Sequence, residues 1–282
     1  MAAVLGTNVA SLWASKNLQS AQTNMANSVE RLSSGLRINR ARDDAAGLGI
    51  ANALTQQINS ADMGIRNLND GISIVQTAEG ALAQATEMAQ RILALSIQGT
   101  SGTLSSSQKT SITTEMQSLL AGIDNIQNRT KFGSTTTSLL SGTAVVVYSS
   151  NVSTDSITIS TTGLAAISTG GSAATVTSSV SAATSTQTAA NFQNITTAVS
   201  AYITTLDTQR GALGATQNQM EYSVNNITEL SANLTSARSR IIDTDYATET
   251  SKLTKGQILQ QAATAMLAQA NQMPNVILSL LK

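Results

Sequence analysis

Residues 257–280 read Q-I-L-Q-Q-A-A-T-A-M-L-A-Q-A-N-Q-M-P-N-V-I-L-S-L, and apolar side chains recur there at alternating steps of four and three. The members of this stripe are Leu259, Ala263, Met266, Ala270, Met273, Ile277 and Leu280. Such a seven-residue repeat is typical of a helix that packs along one seam against another long helix. The carboxyl-terminal end of the chain is therefore predicted to be helical.

The amino-terminal end carries a second and less regular apolar stripe. Its members are Leu5, Val9, Leu12, Leu18, Met25, Val29 and Leu32. Spacings of three, four and seven again indicate one helix face, with a shift in the pattern after Leu12. Because glycine is unfavourable inside a helix, Gly35 predicts a break or turn.

Three further helices are predicted between these ends, over residues 43–99, 110–127 and 195–241, each from an apolar stripe with helical spacing. The first and last of them are far longer than the average helix of about 12 residues. Helices of that length need other long helices beside them to be stable.

The middle of the chain, residues 131–185, is rich in Ser and Thr and predicts strand and loop. Between residues 132 and 206 the only charged residue is Asp155. Residues 144–148 and 156–160 have the composition of short strands, and a polar segment connects them, which favours a β-hairpin.

The fold class predicted from these patterns is mainly α. Long antiparallel helices from both chain ends pack as in a coiled coil, and a small β-hairpin or sheet lies in the middle. Three domains are predicted. An inner terminal helical domain comprises residues 1–42 and 241–282, and a core helical domain comprises residues 43–130 and 186–240. Residues 131–185 form a Ser/Thr-rich hairpin and loop part of the core.

The composition excludes several functional classes. The chain has no cysteine and no histidine, and its 16 basic and 16 acidic residues cancel. Disulfides, thiolate metal sites and thiol nucleophiles are therefore excluded, and a basic nucleic-acid surface is not indicated. No cofactor or enzymatic activity is expected. The first residues lack the basic and apolar regions of a signal peptide, so none is predicted.

Two long segments resemble bacterial flagellins. Residues 31–52, R-L-S-S-G-L-R-I-N-R-A-R-D-D-A-A-G-L-G-I-A-N, look like the amino-terminal flagellin signature. Residues 236–282 contain S-R-I-I-D-T-D-Y-A-T-E and the helical stretch quoted above, and they resemble the flagellin carboxyl terminus. With residues 8–18 and 123–133, the similarity covers both ends of the chain.

The resemblance implies a short flagellin with inner and core domains and little or no outer variable domain. It implies a structural subunit that polymerises with itself into the extracellular flagellar filament used for motility, with its inner domain lining the tube. The implied partners are the flagellar export apparatus, an export chaperone at the carboxyl terminus, the filament cap and the junction proteins. No cleaved signal peptide, nucleic acid or membrane partner is implied.

Two sets of site residues follow for such a polymer. The two terminal stripes are predicted to form the self-assembly seam. Charged residues near 31–44 and 238–245 are predicted to form the joint between inner and core domains, mostly as helix-start charges and ion pairs: Arg31, Arg37, Arg40, Arg42, Asp43, Asp44, Arg238, Arg240, Asp243 and Asp245.

The resemblance also implies a patch recognised by a Toll-like innate receptor, matched here by Arg91, Leu95 and Glu115. Leu93 and Ala94 stand where recognised family members usually carry charged residues, so weakened recognition is expected.

Other interpretations of the sequence have less support. A hook–filament junction protein shares the terminal helices but does not elongate. A secreted enzyme has no base beside its many Ser and Thr nucleophiles. A soluble adhesin would use the Ser/Thr-rich middle to bind or carry sugars. A cation site at Asp243, Asp245 and Glu249 lacks the spacing of a calcium loop.

Overall fold

A computed structural model describes residues 7–132, 139–140, 144–150, 155–160 and 172–280. The side chains of residues 172, 173 and 273–280 lie outside this description. In chain order the elements are α1 Val9–Ser34, α2 Ala45–Gly99, α3 Ser106–Arg129, β1 Val145–Tyr148, β2 Ser156–Ile159, α4 Ser172–Ser185, α5 Ala189–Ile242 and α6 Tyr246–Leu280.

The predicted fold class is confirmed. Long helices come from both chain ends, and the two strands form one antiparallel hairpin in the middle, with Val145 opposite Ile159 and Tyr148 opposite Ser156. The predicted strands over 144–148 and 156–160 each differ from the observed strands by a single terminal residue.

The ends of α1 are fixed by two local interactions. At its start the Asn8 side chain accepts a hydrogen bond from the Ser11 N–H, which caps free helix donors. At its end Gly35 has a φ of 72°, in the left-handed region, and donates its N–H to the Arg31 carbonyl at 2.9 Å. The break predicted at Gly35 is confirmed.

One prediction for the middle of the chain is wrong. Residues 172–185 were expected to be strand or loop, and they form helix α4. Val176, Val180 and Ala183 follow helical spacing and are buried. The Thr and Val residues of this segment favour strands on propensity, and burial of the short apolar stripe overrides that preference.

The chain divides into two compact units. The first comprises residues 1–58 and 232–282 and contains α1 and α6. These two helices run antiparallel: the Asn8 amide donates to the Ala270 carbonyl at 2.7 Å near one end, and the Ser28 hydroxyl donates to Glu249 at 2.7 Å near the other.

The second unit, residues 59–231, has a continuous apolar core. Side chains from α2, α3, the hairpin, α4 and α5 contribute to it. Those with no measurable exposure include Leu68, Val75, Leu82, Ala89, Met116, Phe192, Ile195, Val199, Leu206 and Met220. The apolar stripes predicted for α2 and α5 therefore supply this core.

The core predicts unequal costs for two leucines on α5. Leu206 has no exposed surface, whereas Leu230 is 49% exposed. Leu206→Ala is expected to lower the free energy of unfolding by about 2–5 kcal/mol, because it leaves a cavity. Leu230→Ala, the matched control, is expected to lower it by less than about 1 kcal/mol. Urea unfolding followed by circular dichroism measures both, and equal losses would contradict this core.

Candidate functional site

Small side chains form the inner contact between α1 and α6. The buried positions recur at seven-residue intervals on both helices, as expected for one seam of an antiparallel pair: Ala14, Ala21 and Ser28 on α1, and Glu249, Gly256, Ala263 and Ala270 on α6. Gly256 faces Met25, whose Cβ would lie 3.4 Å from a methyl group at position 256. The helices therefore approach closely, and little room remains between them for bulky residues.

The predicted seam residues divide between this inner contact and the surface. Leu18, Met25 and Leu32 are half-buried and alternate with the small α1 residues. Ala263 and Ala270 are buried in the seam, but Leu259 and Met266 are exposed. Leu5 and the side chains of Met273, Ile277 and Leu280 lie outside the described residues.

The predicted seam omits buried members of this contact on both helices, namely Ala14, Ala21, Ser28, Glu249 and Gly256. It also omits Leu253 and Leu267, which are half-buried on α6. The signal was present, because alanine recurs after seven residues on α1. It was passed over in favour of larger side chains, which carry more apolar area but do not fit between closely packed helices.

Bulky apolar side chains of α1 and α6 are exposed in this unit. Trp13 is 60% exposed and Met266 is 65% exposed, and Val9, Leu12, Val29, Ile258 and Leu259 are also largely exposed. Val9, Trp13, Leu259 and Met266 line a groove of about 710 Å³ between the two helices. The Lys16 ammonium lies 5.4 Å from the centre of the Trp13 ring, within cation–π range. Exposed apolar surface of this kind is a candidate interaction site.

The backbone on either side of the charged segments is paired. Leu36 forms an isolated antiparallel bridge with Asp243, and the Arg37 N–H donates to the Ile242 carbonyl at 2.6 Å. The Thr244 N–H donates back to the Gly35 carbonyl at 2.9 Å. The structure thus brings the two predicted charged segments together through their main chains.

The acidic residues of these segments mainly cap turns and helix starts. Asp44 accepts from the Gly47 N–H at 2.8 Å, at the start of α2. Backbone hydrogen bonds, chiefly from Arg40, hold the pKa of Asp43 below its ordinary value against the opposing effect of desolvation. The hydroxyl and N–H of Thr248 likewise lower the pKa of Asp245, which caps α6.

The arginines of the set have separate partners. Arg40 pairs with Glu30 at 2.8 Å, and Arg42 lies 3.7 Å from Asp43. Of the remaining arginines, Arg37 donates to the Ile241 carbonyl, Arg238 to Thr55 and Arg240 to Ser236. Within the described part of the chain, Arg42 and Asp43 form the ion pair in which both partners belong to the predicted set.

Glu249 is a site residue that the predicted set did not include. Its carboxylate is buried in the α1–α6 seam, accepts from the Ser28 hydroxyl at 2.7 Å and lies 3.0 Å from the Lys252 ammonium. Arg31 lies 4.0 Å away. Burial alone raises the pKa of Glu249, but these hydrogen bonds and charges outweigh burial and hold the pKa below its ordinary value.

The implied receptor patch is only partly brought together. The Arg91 guanidinium donates twice to one Glu115 oxygen, at 2.9 and 2.7 Å, and both side chains are exposed. Leu95 is 2% exposed and belongs to the apolar core.

Two other kinds of site are absent from the described part of the chain. No cluster of three carboxylate-type ligands suited to a metal ion occurs among those residues. None of the helices within the same residues combines the length and the apolar character needed to cross a bilayer.

Comparison with known proteins gives consistent matches at both ends. Residues 5–145 match the bacterial flagellin N-terminal helical region, and residues 193–281 match the bacterial flagellin C-terminal helical region. The chain is 39% identical to the flagellin of Bacillus subtilis (strain 168) over 301 residues, with 98% of each chain covered. It is 35% identical to the flagellin of Halalkalibacterium halodurans, covering 99% of this chain and all of that one.

A third relative, Flagellin B of Vibrio anguillarum, is 32% identical over an alignment of 377 residues that includes the whole of both chains. Both family regions occur in their expected order, and these relatives are matched over nearly their full length. The chain therefore belongs to the bacterial flagellin family and is a structural subunit of the flagellar filament.

Proposed function

We propose that this flagellin polymerises through the exposed apolar face of the α1–α6 pair. The observation that carries the proposal is the division of apolar residues by size: small side chains fill the inner seam, while Trp13, Leu259 and Met266 are left exposed. Burying one such large side chain contributes about 1.5–3 kcal/mol. Several of them on one face supply a sizeable driving force for association, less the cost of ordering the subunits.

An open filament needs a contact that does not close on itself. Head-to-tail contacts repeat indefinitely, whereas a two-fold contact stops at a dimer. We assign residues 1–42 and 241–282 to the inner, tube-lining domain, residues 43–130 and 186–240 to the core, and residues 131–185 to its Ser/Thr-rich part. The exposed face on α1 and α6 supports the first assignment. The compact units divide at 58/59 and 231/232, so the exact functional borders stay a prediction.

A charge placed at Met266 tests the face. Met266→Glu is expected to raise the critical concentration for polymerisation roughly tenfold or more, because the contact loses its apolar burial and must desolvate a carboxylate. Sedimentation of polymer measures that concentration. The chain has a single tryptophan, Trp13, whose fluorescence gives an independent signal of burial on assembly.

Gln261→Glu is the matched control, since it adds the same charge at an exposed polar position of α6 that does not line the groove. It is expected to polymerise as the unmodified chain does. If Met266→Glu and Gln261→Glu shared one critical concentration, the groove would not be the assembly surface. Electron microscopy of long filaments would also separate a filament subunit from a hook–filament junction protein, an alternative that the full-length flagellin matches do not favour.

We expect the Glu249 carboxylate to make the filament sensitive to acid. Its folded-state pKa lies below the ordinary value of 4.5, so the carboxylate stabilises the α1–α6 pair above about that pH. The contribution is lost as the pH falls through the lowered pKa. At pH 7, Glu249→Gln filaments should therefore disassemble at a lower temperature than unmodified filaments. Between roughly pH 7 and pH 4, they should lose less stability than unmodified filaments do.

Light scattering during heating at the two pH values measures this loss. Glu229→Gln, which neutralises an exposed carboxylate on α5, is the control and should behave as the unmodified chain. Some acid sensitivity remains in every variant, because the pKa values of Asp43 and Asp245 are also lowered. If Glu249→Gln filaments lost as much stability on acidification as unmodified filaments do, Glu249 would not have this role.

The remaining partners follow from membership of the family. We propose export through the flagellar apparatus without a cleaved signal peptide, with a chaperone at the carboxyl terminus, and assembly beneath the cap onto the junction proteins. For a Toll-like receptor, the exposed Arg91–Glu115 pair supports contact, while the burial of Leu95 removes one of the three matched positions and supports weakened recognition.

A further inference from the structure

Methionine sulfurs are the groups of this chain that mild oxidants attack most readily. The chain has eight methionines and no cysteine, so no thiol competes for an oxidant. Among the methionines whose side chains the structure describes, Met63 and Met266 are 51% and 65% exposed, whereas Met116 and Met220 have no measurable exposure. Because oxidation requires access to the sulfur, an oxidant in solution reaches the two exposed residues first.

The two exposed methionines differ in their surroundings. Met266 lines the groove between α1 and α6, together with Val9, Trp13 and Leu259. Among the described residues that line this groove, none carries a charge. Met63 lies on α2 and does not line the groove. A change in the polarity of Met266 therefore alters an apolar surface shared by two helices, whereas the same change at Met63 leaves that surface as it is.

Oxidation changes the polarity of a methionine without breaking the chain. Hydrogen peroxide transfers one oxygen atom to the sulfur: the O–O bond breaks, an S–O bond forms, and water leaves. The sulfur loses two electrons and the peroxide gains them. The product, methionine sulfoxide, is polar, and methionine sulfoxide reductases convert it back to methionine. An apolar contact that buries the sulfoxide oxygen without a hydrogen-bond donor is weakened, because that oxygen has given up its water.

We propose that Met266 is an oxidation site through which peroxides regulate the polymerisation of this chain. The modification leaves the α1–α6 pair folded, since Met266 lies outside the buried seam, but it makes the groove polar. The effect on polymerisation rests on the proposed function, in which this groove meets another copy. That function also gives the regulation a direction: the oxidant reaches Met266 in free chains, whereas the contact in a filament covers it.

The reactivity of Met266 is measured on the full chain before polymerisation. Hydrogen peroxide is added, and mass spectrometry of peptides follows sulfoxide formation at each methionine. Met266 and Met63 are expected to be oxidised roughly tenfold or more faster than Met116 and Met220, because the latter two are enclosed in the apolar core. Oxidation of Met266 that is as slow as that of Met220 would overturn the oxidation site.

Two leucine variants separate the effects of the exposed methionines on assembly. In the unmodified chain, peroxide is expected to raise the critical concentration for polymerisation roughly fivefold or more, since a polar group enters an apolar contact. Met266→Leu keeps a similar apolar volume without the sulfur, and its critical concentration should not change with peroxide. Met63→Leu is the matched control and should stay as sensitive as the unmodified chain. An equal rise in Met266→Leu and the unmodified chain would overturn the role of Met266.

Reversal of the modification gives an independent measurement. Methionine sulfoxide reductases added to the oxidised chain should restore the original critical concentration. A raised critical concentration that persists once mass spectrometry shows Met266 to be reduced would overturn the regulation.

Oxidation of finished filaments distinguishes this proposal from the proposed function. Met266 should be oxidised roughly tenfold or more slowly in filaments than in free chains, because the subunit contact covers it. Equal rates in the two states, together with an unchanged critical concentration in Met266→Glu, would count against the groove as the assembly surface. The peptide analysis of free chains would still decide whether Met266 is an oxidation site.

Discussion

The close contact between α1 and α6 depends on side-chain size at one position in every seven. Ala14 and Ala21 meet a partner helix that offers Gly256, Ala263 and Ala270, and this leaves little space between the two backbones. Larger residues are thereby kept to the flanks and the outer face. A seam of leucines would bury more apolar area inside one chain and leave less for other chains. The choice of small residues thus connects the folding of the pair to its capacity for association.

A buried charge at one end of this seam complements the small residues. Glu249 is enclosed, and Ser28, Lys252 and Arg31 satisfy it. Leaving a buried carboxylate without its partners is costly, so such a group disfavours alternative alignments of the helices. Beyond it, the backbone pairing of Leu36 with Asp243 ties the segments that lead out of α1 and into α6.

Helical periodicity and turn chemistry were sufficient to predict the main elements. The stripes of α2 and α5, the left-handed turn at Gly35 and the two strands all follow from local patterns. Helix α4 was missed because its Thr and Val residues favour strands, and only its three buried residues show the helical period. Local preference gave way there to tertiary packing, which a single sequence does not display.

The site was harder to predict than the fold. Periodicity shows which residues share a helix face, but it does not say which neighbour that face meets. Ala263 and Met266 belong to one stripe, yet the first is buried against α1 and the second is exposed. Leu95 was matched to a surface patch by resemblance and is buried, while Glu249 is of a type expected at the surface and is enclosed. Both residues show that burial depth depends on elements distant in the sequence.

The exposed groove beside Trp13 also has a consequence for the life of the chain before assembly. In the newly made protein, an exposed apolar surface suited to a polymer also associates non-specifically with other copies and with unrelated apolar surfaces. Under the proposed assembly through this groove, the cell that makes this protein must keep synthesis and polymerisation apart, by covering the groove or by limiting how many free copies accumulate. The timing and place of growth are then controlled by access to one surface.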